Sequence, residues 1–231
     1  MKFRQLLFLL FVVLLSGCTA KRATLPEPPD WTTQKKEDPR RMGFSVVSGN
    51  FGLDTKRSVV YWVGKKKWPY EEYAGTLNLS KGLMNLSMGK ITAGDFTVDM
   101  NTLDIVSLKD SPHDYKKMMD RLRNYFFYVN DYPTILFKIT SVSEAKSANA
   151  THRINGKLTI KDKTNDISIP ATIMLNGDEV KAWSRFSINR NDYNIIYNES
   201  SFFGGIGNAA IKDSIDMALE LVGIKEQTPG I

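Results

Sequence analysis

Alternation of apolar and polar residues with a period of two runs through most of the chain beyond residue 57, and it leaves few folds open. Phe96, Val98 and Met100 alternate with Asp95, Thr97 and Asp99. Leu77 and Leu79 alternate with Thr76, Asn78 and Ser80, and Leu86 and Met88 with Asn85 and Ser87. Ile154, Gly156, Leu158 and Ile160 interleave with Arg153, Asn155, Lys157 and Thr159, and Ile167, Ile169, Ala171 and Ile173 with Ser168, Pro170, Thr172 and Met174. Successive side chains of a strand point to opposite faces, so each segment reads as a strand with one buried and one wet face. Turn signals such as Lys81-Gly82 and Asn176-Gly177-Asp178 separate them at meander spacing. Strands are expected over 58–63, 73–80, 83–90, 94–102, 134–142, 151–160, 166–176, 179–188 and 213–222, about nine in all. The expected fold is all-β, a closed antiparallel barrel of about eight strands, because closure removes unpaired edges. At that strand number the interior is filled by side chains or holds one small ligand.

Two stretches depart from this pattern. Between Asp114 and Tyr125, Tyr115, Met118, Met119 and Leu122 recur at helical spacing, with Ser111-Pro112 as a helix entry. A short helical insertion is therefore expected around 114–125. Residues 213–222 fit either element: Ile215, Met217, Leu219 and Leu221 suit a strand, whereas Met-Ala-Leu-Glu-Leu has helical propensity.

The chain opens with Lys2 and Arg4, then ten uninterrupted apolar residues, Leu6 to Leu15. That is a signal-peptide core, well short of the roughly 20 residues that span a bilayer as a helix. Leu15-Ser16-Gly17-Cys18 matches the lipobox of bacterial lipoproteins, so residues 1–17 are expected to be removed and Cys18 to carry lipid. Cys18 is the only cysteine, which leaves no thiol for disulfides, metal ligation or nucleophilic attack. Thr19 follows it where retention on the inner membrane often has Asp, which favours the outer membrane of the envelope. Residues 18–43 contain Pro26, Pro28, Pro29 and Pro39 among charged residues and read as the lipidated cysteine and a flexible tether. Such a coil spans ~25–30 Å. Residues 44–231 are enough for one domain with its own core.

Charge and residue inventory exclude several functions. The net charge is +6, but residues 1–43 carry eight Lys and Arg against four Asp and Glu, leaving +2 for the domain. A body so nearly neutral has no electrostatic footprint for a nucleic acid. His113 and His152 sit in different elements, and no nucleophile elbow, metalloprotease helix or calcium loop appears. Gly204-Gly205-Ile206-Gly207 lacks the Lys and Ser/Thr of a phosphate-binding loop. Lys65-Lys66-Lys67 marks a solvated turn, or else a contact to anionic headgroups near a barrel mouth. No enzyme activity is expected.

Several segments together resemble the YceI-like family. They are Ser58-Val59-Val60-Tyr61-Trp62-Val63-Gly64-Lys65-Lys66, Gly75-Thr76-Leu77 and Gly94-Asp95-Phe96-Thr97-Val98-Asp99-Met100. Tyr125-Phe126-Phe127-Tyr128-Val129 through Tyr132-Pro133-Thr134-Ile135-Leu136-Phe137 is the most specific of them. Ile154-Asn155-Gly156-Lys157-Leu158-Thr159-Ile160 and Ile188-Asn189-Arg190-Asn191-Asp192-Tyr193 complete the series, in order and spacing, over residues 56–222. Three positions differ from the family pattern: Tyr73-Ala74-Gly75 where some relatives have His-x-Gly, Ala93-Gly94 for Gly-Gly, and Asn194 for Gly.

The resemblance implies a lipocalin-like barrel that holds an isoprenoid chain, a polyprenyl lipid or an isoprenoid quinone, and no other cofactor. It also implies that 213–222 is a closing strand. Strand phase then nominates Trp62, Phe96, Met100, Phe137, Leu158 and Phe186 as candidate lining residues. The expected partners are the membrane, through acylated Cys18, and the apolar lipid; the sequence names no protein partner. The alternative is a lipoprotein whose packed barrel serves as an interaction scaffold.

Overall fold

The computed structural model describes residues 24–32, 47–67, 69–147, 150–197 and 210–227. The signal segment, Cys18 and Gly204-Gly205-Ile206-Gly207 lie outside the described residues. Nine strands form: β1 (Gly49–Leu53), which the alternation does not mark, β2 (Val59–Lys66), β3 (Glu71–Ser87), which joins the segments expected at 73–80 and 83–90, β4 (Lys90–Asp104), β5 (Thr134–Ser147), β6 (Ala150–Ile160), β7 (Lys163–Asn176), β8 (Glu179–Asn189) and β9 (Ser214–Lys225). Every neighbouring pair is antiparallel, and the ring closes through β2–β3, β3–β4 and β2–β9 pairing. The expected all-β antiparallel barrel is therefore what forms, with eight strand positions. The extra strand shares a position: β1 lies between Leu83–Leu86 of β3 and Gly223–Lys225 of β9, collinear with β2, which lies between the other halves of the same two strands. Between β1 and β2, the Asp54 carboxylate accepts from the Lys56 and Arg57 amides. The buried Ser58 hydroxyl then accepts from the Val222 amide at 3.0 Å and so bridges the gap in the ladder.

The ambiguous 213–222 segment is strand β9. Pairing with β8 from Ser214 to Ile224 and with β2 supplies hydrogen bonds on both sides, which override the helical propensity of Met-Ala-Leu-Glu-Leu. One expected turn is absent. Lys81-Gly82 lies inside the 17-residue β3, where the register against β4 shifts between Leu79 and Lys81. A bulge there flips the alternation and so imitates a strand end in sequence. The true hairpin is Met88-Gly89, both at positive φ, which puts Met88 outside instead of on the buried face.

The insertion forms α1 (Pro112–Arg121) and then a π-helical turn over Leu122–Phe126, closed by the Phe127 amide on the Leu122 carbonyl at 3.0 Å. Pro112 opens the helix, where its missing N–H costs nothing. Tyr115, Met118, Met119 and Leu122 pack down on the barrel core, as their spacing implies.

The tether expectation needs correction over residues 24–32. Leu25 is buried on the outer wall of the barrel with Val63, Trp183 and Ala218, flanked by Tyr61 and Ala74. A single helical turn at Asp30–Thr32 then lies against β7. Composition suggested a solvated coil, yet one leucine finds an apolar seat between outward-facing residues of β2, β8 and β9.

Candidate functional site

β2, β4, β6 and β8 all end, and β3, β5, β7 and β9 all begin, at the end of the barrel where α1 sits. Inward residues near those strand ends enclose a cavity of about 450 Å³. Its wall is apolar: Trp62, Leu77, Leu103, Ile135, Ile160, Ile188 and Met217 come from seven different strands. The insertion roofs it with Met118, Leu122, Phe126 and Phe127. The wider winding of the π turn brings Phe126 and Phe127 to the mouth together, a use to which such turns are often put at functional sites.

The roof is pinned at both ends. The Tyr115 hydroxyl donates to Asp104 Oδ1 at 2.9 Å, and Asp104 also pairs with Lys109. Burial pulls the Asp104 carboxyl up, but the bonds from Lys109 and Tyr115 outweigh it and hold the group below its usual range. On the far side Lys161 Nζ donates to the carbonyls of Asn194 (2.7 Å) and Phe126 (3.3 Å), over the ring of Tyr128. Burial pushes this ammonium below the usual lysine range. Asn194 stands in the left-handed region at φ 52°, a conformation that asparagine tolerates better than most residues.

The charged side chains that line the cavity share one sign, and most are balanced by carboxylates just outside it. The charged side chains on the cavity wall are Lys65, Lys66, Arg121, Arg190 and Lys212, with no carboxylate among them. Lys65 pairs with Asp216 at 2.6 Å, Lys66 with Glu71 at 2.8 Å and buried Arg190 with Asp213 at 3.2 Å. Arg190 also donates to the Ile195 and Lys212 carbonyls, which ties the loop after β8 to the start of β9. It is a structural clamp. Among the described residues neither Arg121 nor Lys212 forms an ion pair; Arg121 lies in the field of Glu71 and Tyr73, and Lys212 sits 5.6 Å above the Tyr70 ring. Tyr73 donates to Glu71, and burial followed by that bond drives its hydroxyl pKa up.

Of the six nominated lining residues, only Trp62 reaches this cavity. Phe96, Phe137, Leu158 and Phe186 line a void of about 40 Å³ deeper in the barrel, where the Phe96 and Phe137 rings stack at 5.2 Å. Met100 is fully buried in the core. The deeper void shares Ile135, Ile160, Ile188 and Met217 with the mouth cavity, so the two are stacked along the axis. Strand phase distinguishes inside from outside but not depth. The usable signal was the insertion itself: it marks one end of the barrel, and the inward residues nearest that end are those the cavity uses.

Trp62 is held by close backbone approach. A Cβ on Gly75 would lie 2.6 Å from its indole and 1.8 Å from the Asp104 carbonyl, so only glycine fits. Its Nε1 is buried without a hydrogen-bond partner among the described residues. Those residues contain no cluster of His, Cys, Asp and Glu able to hold a metal. His113 is exposed on α1, and His152 contacts Thr151 on β6.

A closed, helix-capped antiparallel barrel with an apolar chamber at one end defines a lipocalin-like build. The sequence from residue 41 to 223 matches the YceI-like domain, and the chain belongs to that family. The crystal structure of BcnA from Burkholderia cenocepacia is similar, with 22% identity and a TM-score of 0.54, over 74% of this chain and 98% of that one. A polyisoprenoid binding domain from Saccharophagus degradans, implicated in plant cell wall breakdown, has 12% identity and a TM-score of 0.53 over 76% of this chain and 98% of its own. At these identities the likeness is one of fold. No curated protein sequence matches the chain.

Proposed function

We propose that this protein is an envelope lipoprotein, anchored through acylated Cys18 with the outer membrane favoured, that binds a prenyl lipid in its barrel without catalysing a reaction on it. The observation that carries the reading is the cavity of about 450 Å³, apolar in depth and cationic at its mouth. It falls within the range of small-molecule sites and argues against a barrel packed solid as a scaffold. At roughly 30 Å³ per water-sized group, it takes about fifteen carbons, or about three isoprene units. Each buried methylene contributes ~0.8 kcal/mol. A longer tail reaches Phe96, Phe137, Leu158 and Phe186 only by opening the deeper void. Arg121 and Lys212 complement the oxygen atoms of a head at the mouth, those of a polyprenyl phosphate better than a neutral quinone. The polyisoprenoid-binding relative supports the same ligand class.

The test is mass spectrometry on the protein taken from its native membrane fraction. An organic extract should contain a prenyl lipid, and the mature N-terminal peptide should carry acyl chains on Cys18. Folded, delipidated protein that takes up neither polyprenyl phosphate nor quinone would overturn the binding.

A further inference from the structure

The segment that buries Leu25 precedes the family-matched region, and it crosses the outside of the barrel at a defined place. Of the residues that receive Leu25, Val63, Ala74 and Ala218 lie in the mouth half and Trp183 near the middle of the barrel. Lys66, the last residue of β2, is three residues beyond Val63, or ~10 Å along the strand. The β2–β3 hairpin tip therefore projects past the strap on the same strands. It carries exposed Lys67 and Pro69, and Tyr70 at 56% exposure beneath the Lys212 ammonium. Its backbone is tied to the segment before β9, with the Lys67 amide donating to Ala210 and the Lys212 amide to Lys65. Val106 and Ile196 add exposed apolar surface at this end, 45% and 39% exposed.

Chain length favours the mouth end. Leu25 is seven positions after Cys18, a reach of at most ~25 Å. The mouth rim lies well within that leash. The opposite end, where Met88 and Ile224 are exposed, begins ~20 Å away along β9, within reach only of a nearly extended chain.

We propose that the docked strap holds the barrel mouth-down on an anionic bilayer, with Lys67, Tyr70 and Lys212 in contact with the headgroups. This rests on the reading of Cys18 as the acylated anchor. Tyrosine suits such a boundary, with an apolar ring and a polar tip, and lysines there are drawn to anionic lipid. The cavity then opens onto the surface from which its ligand comes, and a tail can enter without crossing water.

Because acylation occupies Cys18, an introduced cysteine is the single free thiol of the mature protein. Acylated protein carrying Pro69→Cys at the hairpin tip or Asp178→Cys at the opposite end is labelled with an environment-sensitive fluorophore. It is then reconstituted on phosphatidylcholine vesicles with or without phosphatidylglycerol, some containing a headgroup quencher. The expected result is severalfold stronger quenching at 69 than at 178, reduced by omitting phosphatidylglycerol or raising salt. Leu25→Asp, with an unchanged circular dichroism spectrum, should still float with vesicles but lose the contrast between probes. Protein that fails to float overturns the anchoring and the proposal with it. Protein that floats with both probes equally quenched overturns the orientation alone, and contrast that survives Leu25→Asp overturns the role of the strap.

Discussion

Gly75 and Gly177 show how two glycines can be needed for unrelated reasons. Gly177 sits in the β7–β8 turn at φ 58° with nothing within 4 Å of a built Cβ, so alanine there meets only backbone strain. Gly75 has ordinary backbone, but alanine would drive a methyl into the Asp104 carbonyl and the Trp62 ring. Gly177→Ala should cost about 1–2 kcal/mol in a urea titration, with ligand uptake unchanged. Gly75→Ala should cost about 1–3 kcal/mol or more through overpacking, and it should also weaken lipid binding because Trp62 must move. Equal effects of both variants on binding would refute the placement of Trp62 in the site. Both glycines were visible in the sequence, one as part of a turn signal and the other in the family-like Gly75-Thr76-Leu77. The clash that makes Gly75 obligatory depends on Asp104, 29 positions away on the neighbouring strand, and no local pattern encodes it.

Elements were legible where a local period was uninterrupted. β6, β7 and β8 appear within a few residues of where alternation puts them, because each has one wet face along its whole length. β3 was split in two because its bulge near Ser80 shifts the phase, and β1 was missed because five residues holding two glycines carry almost no period. Depth in the barrel was illegible for a related reason: alternation is the same at the middle of a strand as at its mouth end. The binding site should therefore follow position along the element and not aromatic content. Met217→Trp on β9, in the wall of the mouth cavity, should reduce uptake of a prenyl probe at least tenfold, equivalent to about 1.4 kcal/mol of lost binding, while the fold persists. Phe137→Leu, in the packed section below, should lower stability by about 1–2 kcal/mol and leave uptake of a short prenyl chain unchanged. Fluorescence titration with a farnesyl-length probe checks both. A larger binding loss from Phe137→Leu would move the site down into the barrel.

At the scale of the whole molecule, closure is the feature on which everything else depends, and its seam carries ion pairs. Arg57 pairs with Asp54 in the β1–β2 connection and with Glu179 at the start of β8; Lys66 joins Glu71 across β2 and β3; Lys65 joins Asp216 across β2 and β9. Hydrogen bonds from Arg57 hold the Asp54 and Glu179 carboxyls below their usual range, and one from Lys66 does the same for Glu71. Burial pulls Asp216 up, but Lys65, Ser187 and Ser214 together outweigh it and leave the group lowered. Each depressed carboxylate stabilises the fold fully above its unfolded pKa, near 4, and that contribution disappears as pH falls through the lower folded value. The melting temperature should thus change little from neutral pH to about 5 and decline between about pH 4 and 2, modestly because the pairs are part-exposed and screened by solvent. The Glu71→Gln, Asp216→Asn double variant should melt lower at neutral pH and show a shallower acid slope, because two of the groups that titrate are gone. Differential scanning calorimetry from pH 7 to pH 2 decides the matter, and an acid slope identical to that of the unaltered protein would place the acid sensitivity elsewhere than the seam.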